Sequence, residues 1–394
     1  MSELLDRYQR SLIGVFGTPP LVLSHGEGCY VWDTDGNRYL DLVGGIAVNA
    51  LGHGHPALVS ALSKQAAEAI HISNLFTSVP QIELAERLLQ IADAPQGSGV
   101  FLANSGAEAI EAAVKLSRRT GRQEIIAADG AFHGRTTGAL ALTSKAAYRE
   151  PFEPLMPGVS HVPYGDVDAL RAAVTTETAA VVLEPVQGEA GVVDPGPAYL
   201  TAAREITSAT GTLLIIDEIQ TGIGRTGEWF AFQASGIRPD AVTVAKGLGG
   251  GVPIGGLITF GPEVSGLLTA GQHGTTFGGN PLATAGALAV LDTIVQEGLL
   301  AHATEAGHHL ADAIAALEHP VLEPVRGRGL LRAIPLRRPV ASALAAAARE
   351  AGFIVNPVAP QAIRLAPPLV VTTDQLDDFV SALPDLLDSV KDPS

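Results

Sequence analysis

Apolar positions along this chain follow two rhythms. Five short runs are apolar at nearly every position: GVFLAN (99–104), EIIAAD (124–129), AAVVLEPV (179–186), TLLIIDEI (212–219) and DAVTVAK (240–246). Between several of them lie stretches with helical spacing, such as AYLTAAREITSAT (198–210). A strand that is apolar on both faces must be covered on both, and strands separated by helices come back parallel. The pattern predicts an α/β fold with a mostly parallel sheet between layers of helices. In such sheets ligands bind beyond the carboxyl ends of the strands.

After about residue 292 the rhythm changes. Helical stretches at 299–317 and 341–351 flank short strands near VRGRGLLRAI and FIVNPV, and a last helix covers 374–391. Near the start, CYVWDTDGNRYLDL reads as a hairpin closed by Asp-Gly turn chemistry. We expect that hairpin to join the C-terminal part. The organisation expected is therefore residues 1–56 as the N-terminal segment of a small α+β domain, 57–296 as a large ligand-binding domain, and 297–394 as the C-terminal part of the small one. No internal repeat or low-complexity linker interrupts the chain.

Composition adds three limits. Apolar residues are 46% of the 394 but aromatic ones only 5%, so aliphatic side chains must fill the core. The formal net charge of −16 argues against a nucleic-acid partner, which would want a basic surface. Cys29 is the only cysteine, which excludes an intramolecular disulfide and a cysteine metal site. The start, MSELLDRYQR, has no apolar signal core, and no apolar run is long enough for a membrane span. A cytoplasmic location without membrane attachment is the expectation. His53 and His55 of HGHP make a poor metal site by themselves, so no metal is expected.

The candidate chemistry sits at strand ends. In NSGAEAIEAAVKLSRRTG (104–121), Ser105 followed by Glu108 predicts a capping box opening a helix. The amides of Gly106 and Ala107, at the positive end of that helix, would seat a phosphate. Asp217 and Lys246 each stand at the carboxyl end of a predicted strand. Pyridoxal 5'-phosphate needs such a pair: a lysine to form a Schiff base, and an acid to keep the pyridine nitrogen protonated. A close pair of opposite charges is worth roughly 4 kcal/mol at an effective dielectric of about 20, enough to hold the pyridinium. The following GLGGGVPIGG (247–256) is not a Walker loop, because no Gly-Lys-Ser/Thr ends it. Phe132 in FHGR suits stacking on a flat ring, and Arg135 suits a carboxylate. HGTTFGGNP offers the hydroxyls of Thr275 and Thr276. Arg364 lies inside an apolar run, IRLAPPLVV, and needs an anionic partner. Glu189 falls in a loop after a strand.

Taken together, SGA, FHGR, EPVQGE, DEIQTGIGRTG, AKGLGGGVPIGG, HGTTFGGNP and IRLAPPL resemble the class III (ω-) aminotransferases of PLP fold type I. The likeness runs from about residue 12 to the last helix. The segment GGIAVNALGHGHP (44–56) is closest to the branch acting on N2-acetylornithine. The resemblance implies that Lys246 carries the cofactor, that Asp217 pairs with its ring nitrogen, and that Gln220 reaches the phenolic oxygen side. Phe132 would stack on the ring, and Ser105, Gly106 and Ala107 would bind the phosphate. Thr276 would complete that site from a second subunit, making a homodimer with shared active sites. Arg135 and Thr275 would meet the acetylated substrate, Arg364 the α-carboxylate of 2-oxoglutarate, with glutamate as the product. Glu189 would mask Arg364 while the amine substrate is bound. Succinylornithine, ornithine and 4-aminobutyrate remain as other substrates, and a PLP aminomutase as another reaction.

Overall fold

The structure, a computed structural model, describes residues 2–390. After an N-terminal helix, Ser2–Ser11, come three strands, β1 (Leu23–Glu27), β2 (Tyr30–Asp33) and β3 (Arg38–Asp41). β2 and β3 form the predicted hairpin. Asp33 accepts the backbone N–H groups of Asp35 and Asn37 and so fixes its turn. The central strands are β4 (Gly99–Ala103), β5 (Glu124–Ala128), β6 (Val159–Val162), β7 (Thr178–Leu183), β8 (Leu213–Asp217), β9 (Ala241–Val244) and β10 (Gly255–Thr259). They build one seven-stranded sheet in the order β4-β10-β9-β8-β7-β5-β6. All pairings from β9 to β6 are parallel. Every residue of β7 and β8 is buried, as expected for strands covered on both faces.

β10 was not expected. Its first residues belong to the glycine-rich stretch after Lys246, which reads as loop, yet they run antiparallel between β4 and β9. Glycine is required there by crowding: a Cβ on Gly255 would sit 2.3 Å from the carbonyl oxygen of Ser105. The chain thus turns back and presses the start of β10 against the start of the helix Gly106–Arg118.

The C-terminal part contributes β11 (Arg326–Arg328), β12 (Leu331–Pro335), β13 (Phe353–Ile354), β14 (Asn356–Ala359) and β15 (Ala362–Leu365). β11, β12, β15 and β14 form a second antiparallel sheet, while β13 leaves it to pair in parallel with β3. The two ends of the chain therefore meet in one structure, as the hairpin led us to expect. Helices Leu299–Ala315 and Thr373–Ser389 pack beside this region. Among the described residues no single helix is long and apolar enough to cross a membrane, and no cluster of three or more His, Cys, Asp or Glu is placed to hold a metal. His53 instead bonds Asp41 at 3.0 Å.

Candidate active site

A cavity of about 450 Å³ opens at the carboxyl ends of β7, β8 and β9, where the sheet rule places a ligand. One wall is the start of the helix Gly106–Arg118. Ser105 is its N-cap, its Oγ accepting the Glu108 N–H at 3.2 Å. The capping box closes differently from the prediction. The Glu108 carboxylate passes over Ser105 and takes the backbone N–H of Asn104 at 2.7 Å and its side-chain amide at 2.9 Å. Ser105, Gly106 and Ala107 all line the cavity. A side chain on Gly106 would collide with Ile219, 2.8 Å from the ideal Cβ. The helix end suits a phosphate through its dipole and free first-turn amides.

Asp217 ends β8 and is buried. Its Oδ1 accepts the Ile219 N–H and the Thr243 hydroxyl, both at 3.0 Å, and its Oδ2 accepts His133 Nδ1–H at 2.6 Å. An ionised carboxylate has about four acceptor positions, so one on Oδ2 remains for a donor in the cavity. His133 was missed in the sequence, although it stands between two residues of the FHGR motif. Burial opposes its charged form, but the bond to Asp217, the Asp217 charge and nearby Glu184 hold its pKa above the ordinary value. Glu184, also missed, lines the cavity and accepts the Phe132 N–H at 3.2 Å. Burial pushes its pKa up to about 8.

Lys246 follows β9 and opens a short 3-10 turn with φ of 43°, a left-handed conformation that is uncommon for a side-chain-bearing residue. Burial, and then the positive charge of Arg364, lower its pKa to about 8 against the opposing pull of Glu189, Asp217 and Glu184. At pH 7 roughly a tenth of such an amine is uncharged and nucleophilic.

Phe132 is half-buried and meets Tyr148 edge to face at 6.4 Å. Arg135 is exposed at the rim, its guanidinium 3.5 Å from the centre of the Tyr148 ring. Tyr148, absent from our sequence reading, therefore orients the arginine expected to meet a carboxylate.

At the other end Arg364, on β15, is 2% exposed. Its Nη1 donates to Glu189 Oε1 at 2.5 Å and to Gln220 Oε1 at 3.2 Å. Its Nε and Nη2 both donate to Asn356 Oδ1. Burial would raise the Glu189 pKa, but the charge and hydrogen bond of Arg364 prevail and lower it. Glu189 sits in a tight loop bridged by Gln187 and Val193. A Cβ on Gly188 beside it would overlap the Gln220 side-chain amide, which would have to shift. Thr275 and Thr276 do not line the cavity of their own chain. Thr275 Oγ accepts the Asn104 amide at 3.1 Å, and Thr276 is exposed beside the exposed Phe277.

Residues 16–387 match the family model described as aminotransferase class-III. The chain belongs to that family. It is 54% identical to the acetylornithine aminotransferase of Streptomyces coelicolor, over 98% of this chain and 96% of that one. It is 55% identical to the Mycobacterium tuberculosis protein of the same name, over the same shares. Among solved structures it resembles the acetylornithine aminotransferase of Elizabethkingia anophelis, with 34% identity, 99% of both chains covered and a TM-score of 0.88. It also resembles the ornithine aminotransferase of Toxoplasma gondii, at 31% identity, 99% and 94% coverage and a TM-score of 0.93. That structure is described with partial occupancy of PLP at its active site. The family and these neighbours imply PLP for this class III aminotransferase too. The residues fit it: an acceptor left over on Asp217, a lysine partly uncharged, and a helix start kept bare by Gly106.

Proposed function

We propose that this chain is an acetylornithine aminotransferase that uses PLP to exchange an amino group between N2-acetyl-L-ornithine and 2-oxoglutarate, giving N-acetyl-L-glutamate 5-semialdehyde and L-glutamate in arginine biosynthesis. The observation that carries the reading is a buried arginine, Arg364, masked by the partly exposed Glu189, which lines the cavity together with Lys246 and Asp217. Bound PLP would supply an electron sink for the carbon that gains or loses its amino group. Lys246 would hold it through Nζ, Asp217 would keep its ring nitrogen protonated, and Gln220 would face the phenolic oxygen. Ser105, Gly106 and Ala107 would bind its phosphate, and Phe132 would cover one face of its ring. Freed by the incoming amine, Nζ of Lys246 stays tethered in the cavity and can carry a proton between neighbouring atoms.

Two dissimilar substrates must use this cavity in turn. N2-Acetylornithine brings an amine end and no carboxylate to Arg364, so Glu189 neutralises the arginine. 2-Oxoglutarate brings a carboxylate, and Glu189 must move aside. Arg135, with Thr275, would take the far end of the acetylated substrate. Thr276 does not line this cavity in its own chain, which supports a homodimer in which it completes a partner's phosphate site. On this reading the protein works in the cytoplasm.

The test is a half-reaction screen. PLP-loaded protein is mixed separately with acetylornithine, succinylornithine, ornithine and 4-aminobutyrate, and loss of the near-visible absorbance of the lysine-bound cofactor is followed. Fastest loss with acetylornithine is expected. Faster loss with ornithine or 4-aminobutyrate would assign another ω-amine substrate, and a succinyl preference would move the reading to the neighbouring branch.

A further inference from the structure

Arg225 is 3% exposed, and among the described residues no carboxylate pairs with it. Burial lowers its pKa to about 10, with no acidic neighbour to offset the effect. An unpaired buried cation is costly, so its hydrogen bonds must serve something. Its Nη1 donates to the carbonyl of Pro367 at 2.5 Å and to that of Leu330 at 3.1 Å. Its own carbonyl accepts the Leu330 N–H at 3.0 Å. Leu330 immediately precedes β12, and Pro367 lies two residues past the end of β15. These two strands pair with each other, Ala333 opposite Arg364. The backbones approach closely here: a Cβ on Gly329 would lie 2.7 Å from the Arg225 carbonyl oxygen. Five residues before Arg225, Gln220 bonds Arg364 directly.

The loop that follows Asp217 therefore grips the Arg364 strand pair twice, at the guanidinium through Gln220 and at the strand ends through Arg225. We propose that Arg225 is a positioning residue for substrate carboxylate, fixing β12 and β15 so that the Arg364 guanidinium stays behind Glu189 and Gln220 at the cavity wall those two residues line. Arginine suits the task because one planar group reaches two carbonyls of different segments, which a lysine ammonium does less well. This rests on the proposed role of Arg364 as a carboxylate site.

The test uses glutarate, a dicarboxylate that cannot be transaminated, bound to PLP-loaded protein and followed by calorimetry. Arg225→Met is expected to weaken glutarate about tenfold, the size of one charge-assisted hydrogen bond, with cofactor content unchanged. Arg225→Lys is expected to lose less, and it carries the test if the Met variant does not accumulate. In an Arg364→Ala background neither change should weaken glutarate further, because the residue being positioned is gone. Unchanged glutarate binding in both Arg225 variants, or the same loss with and without Arg364, would overturn the inference. If Arg364→Ala alone leaves glutarate binding intact, the carboxylate reading of Arg364 fails, and this inference fails with it.

Discussion

The two ends of the cavity handle negative charge in opposite ways. Asp217 is 3% exposed and held by three donors on the sheet and the FHGR loop. Glu189 has a third of its side chain exposed and rests chiefly on Arg364. A carboxylate locked by three bonds suits a ligand that never leaves, while one held mainly by a single ion pair suits a charge that must step aside. A charge-assisted hydrogen bond contributes roughly 1.5–3 kcal/mol, so three together are hard to break and one is not. Rigidity at one end and release at the other is the arrangement an enzyme with one cofactor and two unlike substrates requires.

That contrast breaks most severely at the residue between the two ends. Lys246→Ala should abolish turnover and remove the near-visible absorbance of the bound cofactor; normal turnover would sink the assignment. At the fixed end, Asp217→Asn should cost at least about 3 kcal/mol in barrier, roughly a hundredfold in single-turnover rate. A loss below tenfold would count against its pairing with a ring nitrogen. At the movable end, Glu189→Ala should slow the amine half-reaction about tenfold and the 2-oxoglutarate half much less. Equal losses measured by stopped flow would remove the case for masking. The smallest effect expected concerns pH. Because burial lowers the Lys246 pKa to about 8, its uncharged fraction rises as pH increases through that value. Capture of PLP by the cofactor-free protein should therefore speed up by up to about tenfold between pH 7 and pH 9 and then level off. A rate that is flat over this range would indicate an amine in another environment.

Much of the candidate site is legible in the sequence, for local reasons. Asp217 and Lys246 stand where apolar runs end, and the ends of buried strands in a parallel sheet converge. Ser105 reads as an N-cap from its own neighbours and is one. The capping partner was misplaced by one residue because a capping rule says which groups seek bonds, not which of two adjacent amides lies nearer. β10 was missed because its opening glycines look like a loop; they are glycines because another backbone lies against them. Tyr148 had no signal at all, since its role arises only where its ring lies under Arg135.

The chain by itself determined the alternation of elements, the joining of both ends in one structure, and the strand-end positions of the cofactor-type residues, because periodicity, capping and turn chemistry act over a few neighbouring residues. Only the tertiary structure decided what holds those residues. His133 reaches Asp217 across 84 positions, and Arg364 reaches Glu189 across 175. Bonds between groups so distant in sequence depend on how the sheet, the loops and the C-terminal strands pack, and no local pattern encodes that distance.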